Sequence, residues 1–189
     1  MQAVLRRNIV SVDDYLLGEE NSPIKHEYVD GAVFAMAGAT AEHNEIAINI
    51  TSAIKAHLRG KPCRVFMSDV KVRIEAGAEE TFYYPDVMVG CDPRDKHHLY
   101  LQYPKLLVEV ASESTQRLDR REKRLAYQTI ETLEEYLIVS QDRAEGTIYR
   151  RSNQWRPEDF KALTAEIHLH SIALRLSLST VYEGVPVAA

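Results

Sequence analysis

The sequence predicts an α/β fold in which a central mixed β-sheet is flanked by helices and preceded by an N-terminal β-hairpin. Three observations lead there. YYPDVMVG and PKLLVEVAS are nearly continuous apolar strings bounded by Pro and Gly or Ser, as strands covered on both faces must be. Ile46, Ile50, Ile54 and Leu58 recur every four residues, the spacing of one helix face. In HEYVDGAVFAM, Asp30-Gly31 stands between β-prone flanks as a two-residue turn.

The elements follow in order along the chain. SVDDYLL reads as a short helix with Ser11 as its cap and Asp13 and Asp14 in the first turn. The hairpin comes next, and Thr40 then caps a helix running to about Arg59, ended by Gly60 and Pro62. CRVFMSDVKVRI alternates at its end, as a half-buried strand does, and EAGAEET is a loop. The two apolar strings follow. A second long helix is expected from about Thr115 to Leu133, with Leu118, Leu125, Ala126 and Leu133 as its apolar stripe. EEYLIVS and TIYRR read as strands joined through Asp142 to Gly146, and ALRLSLSTVYEG as a strand and a short terminal helix. Such an order makes a mixed sheet with helices on its faces.

Composition narrows the class. With 189 residues, 45% of them apolar and 27% charged, the chain is expected to form one globular domain over residues 1–189, which excludes disordered and collagen-like readings. No apolar run approaches the roughly 18 residues of a membrane span. The opening MQAVLRRNIVSVDDYLL meets acids before a signal-peptide core develops, so a cytoplasmic location is expected. Cys63 and Cys91 are too few for a disulfide scaffold and are expected to be free thiols. A net charge of −5 argues against a protein held on nucleic acid by bulk charge, but the positive charge is uneven. RLDRREKR, from Arg117 to Arg124, carries five bases in eight residues. It reads as a solvated helix face or as a set of phosphate contacts from Arg117, Arg120, Arg121 and Arg124.

Two acids stand out by their neighbours. Asp86 lies between Pro85 and Val-Met-Val, and Glu109 lies inside Leu-Leu-Val-Glu-Val-Ala. A buried unpaired carboxylate costs several kcal/mol, about enough to demand a partner, a proton or a metal. Alternation puts Glu109 on the face of Leu107 and Ala111. If the two strands are neighbours, both acids converge on one hard cation, and oxygen ligands suit magnesium, with manganese as a substitute. A buried salt bridge, or an acid reaching solvent at a strand end, is the other reading. Among lysines, Lys105 has the parity of Glu109 but stands some 13 Å along the strand. Lys71 is on another strand and stays open. Lys123 shares one helix face with Asp119 and Tyr127. It serves either the acids or a surface pair with Asp119.

Pro85-Asp86, Glu109-Val110-Ala111 and a lysine on the next helix resemble the PD-(D/E)xK restriction-endonuclease-like superfamily, and more closely the Uma-two family of proposed endonucleases. SVDDYL, HEYVDGAVFAMAG, EHNEIAINI, YYPDVMVG, LLVEVASEST, DRREKRLAY, EEYLIVS and LRLSLSTVYEG carry the resemblance across nearly the whole chain. It implies a restriction-endonuclease-like core and a magnesium-dependent endonuclease acting on DNA, with Asp86 and Glu109 as metal ligands. It departs from the superfamily at Ala111, where a lysine is expected, and Lys123 matches the helix lysine of the Uma-two pattern. Glu27 matches an acidic position of the family hairpin. With Asp30-Gly31 as the turn it lies opposite Phe34 and beside Val29, unless it is a hairpin-edge acid turned to water. His43 falls at a family position near the cap Thr40, and Tyr84 and Ser112 flank the acids.

The alternative class is a nuclease-fold binding or oligomerisation module whose acids are structural, a reading favoured by the net charge and by Ala111. A homodimer is expected of a two-strand cutter, two-fold assemblies being the commonest. Cys91 with His97 and His98 has no recognised zinc spacing. His168 and His170 alternate along an expected strand and read as its solvated edge, and Trp155 reads as core.

Overall fold

In the computed structural model, which describes residues 9–112 and 122–187, the chain opens with helix α1 (Val12–Asn21). Ser11 caps it, its hydroxyl accepting from the Asp14 N–H, and the helix runs four residues past the expected end. The hairpin forms as read, β1 (His26–Val29) against β2 (Ala32–Ala35), with Asp30 at φ 45° and Gly31 at φ 85° making the left-handed turn. Thr40 caps α2 (Ala41–His57), and Ile46, Ile50 and Ile54 form its buried face.

The expected strand CRVFMSDVKVRI is two strands. β3 (Arg64–Met67) and β4 (Lys71–Ala76) are separated at Ser68, whose φ of 54° breaks the extended path, and they join different sheets. YYPDVMVG is also divided. β5 (Glu79–Tyr83) takes in part of the expected loop, β6 (Val87–Gly90) follows, and Tyr84-Pro85-Asp86 carries the chain between sheets. Proline lacks the N–H a ladder needs and restricts the residue before it, so a break falls there. Then come β7 (Tyr100–Leu101) and β8 (Pro104–Ala111).

The stretch from 113 to 121, with Leu118, Asp119, Arg117, Arg120 and Arg121, lies outside the described residues. The described end of the expected second helix is short: a π-helical turn at 122–123 leads into α3 (Arg124–Gln128). Leu125 is exposed and Leu133 lies beyond the helix, so the apolar stripe fails there; Tyr127 is the buried anchor instead. β9 (Glu135–Ser140) and β10 (Glu145–Arg150) form as read. β11 (Pro157–Lys161) was not expected, β12 (Glu166–Leu169) supplies the strand expected around His168, and β13 (Leu174–Ser177) and α4 (Leu178–Val181) form as read.

A six-stranded mixed sheet, β11-β10-β9-β8-β6-β3, faces a five-stranded sheet, β2-β1-β5-β4-β7. Alternation along β6 and β8 divides the interior. Val87, Val89, Val108 and Val110 pack on α2, whereas Met88, Leu107 and Ala111 pack with Tyr83, Tyr127 and Val72 between the sheets. α1 covers the outer face of the five-stranded sheet through Tyr15, Tyr28 and Phe82. Among the described residues no helix is long and apolar enough to cross a membrane.

The cysteines correct the expectation of free thiols. Arg64 pairs with Gly90, and one step outward Cys63 and Cys91 stand 4.2 Å apart at Cα and are joined as a disulfide. Antiparallel register, invisible in a residue count, makes them neighbours. Trp155 is half-buried at the rim of the inter-sheet core under the Arg151 guanidinium, not within the core.

Candidate functional site

Strand parity delivers Glu109 to the inter-sheet face with Leu107 and Ala111, where its side chain is 5% exposed. Val87 pairs with Val108, so Asp86 enters the ladder's next position, beside Glu109. There the Asp86 carboxylate takes the place of an absent strand residue: Oδ2 accepts the Val110 N–H at 2.7 Å. The expected neighbourhood of the two acids is therefore present.

Glu27 arrives from the other sheet. Tyr28 and Phe82 pair on the face covered by α1, so the adjacent Glu27 turns inward, opposite Phe34 as expected. Lys123 joins the sheets. Its Nζ lies 2.9 Å from Glu27 Oε1 and donates to Glu109 Oε1 at 3.4 Å, above the Tyr83 ring. Tyr127, one turn on, donates to the same Glu109 oxygen at 2.8 Å. Of the two alternatives for Lys123, its amine is at the acids.

Electrostatics follow from this crowding. Burial and the Glu27 charge push the Tyr83 phenol up to about 12, with Lys123 opposing. Burial, then Glu109, raises Tyr127 well above the ordinary phenol value, so both rings are donors at neutral pH. Glu27 Oε1 is buried and, although Lys123 is close, receives no hydrogen bond of ordinary geometry among the described residues. His43 Nε2 lies 3.2 Å from Asp86 Oδ2, where the cap at Thr40 aims the first turn of α2.

Other candidates lie elsewhere. Lys71, adjacent to the inward-facing Val72, points to the α1 side, where its amine donates to the Tyr84 hydroxyl and Tyr84 donates to Glu19. Burial lowers the Lys71 pKa, and Glu19 partly offsets this. Tyr84 is thus part of a second cluster with Glu19, His26 and Lys71, across the sheet from the acids. Lys105 pairs with Glu134, away from the site as expected. Arg124 stacks on Tyr149. His97 stacks on Tyr100, and Cys91 is in the disulfide, so no zinc set forms from them. Sequence reasoning missed Tyr83 altogether, and missed Tyr127 as a donor although its spacing from Lys123 was the available signal.

Among the described residues no group of three or more His, Cys, Asp or Glu side chains forms a ready cage for a metal ion. Two carboxylates with retained waters are enough for magnesium, and the donors here are all oxygen. Glu27 Oε1 is a buried acceptor left with hydrogen-bonding capacity among the described residues. The residues fit a hard divalent cation.

The fold is a mixed α/β core with inward acids and a helix lysine between its two sheets. The protein is similar over 94% of its length to 99% of a solved chain from Anabaena variabilis, titled a putative nuclease belonging to DUF820, with a TM-score of 0.75 and 18% identity. Residues 12–180 match the model of the Uma2 family, described as putative restriction endonuclease, and the chain belongs to that family. Two uncharacterized proteins of Synechocystis sp. are similar: one is 35% identical over 93% of both chains, the other 30% identical over 88% of this chain and 96% of its own.

Proposed function

We propose that this chain is a magnesium-dependent endonuclease of the PD-(D/E)xK type that hydrolyses phosphodiester bonds in DNA, with manganese as a substitute ion. In this reading residues 1–189 act as one restriction-endonuclease-like domain, in the cytoplasm and as a homodimer. The observation that carries it is the lodging of Lys123 between Glu27 and Glu109. The superfamily's strand lysine is replaced by Ala111, and the helix lysine brings an ammonium to the same acids.

Asp86 and Glu109 would hold the cation, with Glu27 beside them. When bound, the cation supplies polarisation of the phosphate and a lowered pKa for its water. Lys123 stabilises charge developing on the phosphate, in a site too buried for water to screen it. Tyr127 holds Glu109 by its hydrogen bond, and Val110 and His43 hold Asp86. Arg117, Arg120, Arg121 and Arg124, with His43, meet flanking phosphates, contacts that position a strand without reading sequence.

The test combines thermal melts with and without magnesium or manganese and cleavage of plasmid and oligonucleotide DNA. Wild type should be stabilised by about 2.7 kcal/mol at a hundredfold excess of metal over its dissociation constant, and Glu109→Gln should lose both the shift and cleavage. Wild type that neither shifts nor cleaves leaves the inactive binding or oligomerisation module as the reading.

A further inference from the structure

Phe34 is an exposed aromatic placed at the edge of the acid site. It lies on β2, the edge strand of the five-stranded sheet, and 54% of its surface is open to solvent. A single exposed apolar residue is ordinary, but this one is paired directly with Glu27. Paired residues project to the same face, with Cβ atoms about 4.5–5.5 Å apart. The ring therefore stands on the site side of the sheet, while its neighbour Val33 pairs with Tyr28 on the α1 side. From Phe34 the chain runs through the exposed residues Ala37 to Thr40 and reaches His43 beside Asp86. One short segment thus borders the site from Glu27 to Asp86, with an aromatic face at one end and an imidazole at the other.

We infer that Phe34 is the stacking surface for a nucleobase beside the scissile phosphate, so that the site takes a strand with an unstacked base, single-stranded or locally opened. This rests on the nuclease reading and adds the form of its substrate. Acids repel a phosphodiester backbone, so beside them a contact indifferent to charge adds affinity that the cation and the flanking arginines do not supply. Stacking of a base on an aromatic ring is such a contact, and it tolerates any sequence. The side chain next to Phe34 in the pair is the Glu27 carboxylate, which places the ring beside the acids rather than in an apolar patch on that face.

The test measures fluorescence anisotropy of a labelled twelve-nucleotide oligothymidine and of a duplex of equal length, with calcium in place of magnesium. Phe34→Ala should weaken oligothymidine binding about 5- to 140-fold and duplex binding little. Phe34→Trp should bind as wild type does, and its added emission should be quenched at saturation. Undiminished oligothymidine binding by Phe34→Ala, or an equal loss for the duplex, overturns this inference while leaving the nuclease reading. A change of molar mass in Phe34→Ala without a change in affinity overturns it in favour of a contact between copies. Wild type binding neither oligonucleotide overturns both readings.

Discussion

Lys123 Nζ lies 2.9 Å from Glu27 Oε1, bridging the hairpin of one sheet to the helix that follows the central strand of the other. The same amine donates to Glu109, so one cation is shared by two inward carboxylates. Removing one partner of a buried ion pair costs about 3–5 kcal/mol, because the remaining charge has no compensation. Lys123→Met should lose stability of that order in urea unfolding at pH 7. Adding Glu27→Gln should restore part of it, and failure to do so would place the loss in packing rather than charge.

Asp86 serves two purposes that substitution separates. Its Oδ2 accepts the Val110 N–H where β8 has β9 on one side but has run past the end of β6 on the other. Asp86→Asn keeps an acceptor oxygen and should melt near wild type while losing metal-dependent cleavage. Asp86→Ala orphans a buried donor and should also lose about 1–3 kcal/mol. Equal stability of the two variants in calorimetry would show that the carboxylate does not hold the strand end.

Tyr83 predicts an alkaline loss of stability. Burial first, and Glu27 next, raise its phenol from 10.0 to about 12. The unfolded chain ionises first, so the stability gained from a neutral Tyr83 is complete below pH 10 and falls as pH rises toward 12. Denaturant unfolding across that window should show a shallower decline in Tyr83→Phe than in wild type. Identical slopes would remove Tyr83 as the source.

The disulfide closes a sequence separation of 28 residues, for which chain entropy gives about 3–4 kcal/mol. Dithiothreitol should lower the melting temperature of wild type and leave that of the double variant Cys63→Ser, Cys91→Ser unchanged. A reductant-insensitive wild type would show that the bridge does not stabilise the fold.

Several local elements and the parity of Glu109 were legible in the amino-acid sequence. Ser11 and Thr40 marked helix starts, Asp30-Gly31 the hairpin, and the apolar strings around Asp86 and Glu109 the central strands, because caps, turns and alternation are written within a few residues. It also named Glu27, Asp86, Glu109 and Lys123. Which of them meet depends on how the two sheets and the helix pack. The Lys123 spacing served a surface pair as well as an acid site, and docking the helix between two sheets brings its amine to Glu27 and Glu109. Lys71 was turned to the α1 face, and two cysteines far apart in sequence became cross-strand neighbours. These outcomes depend on strand register and sheet partner, which burial of the whole core sets at once and no short run of residues encodes.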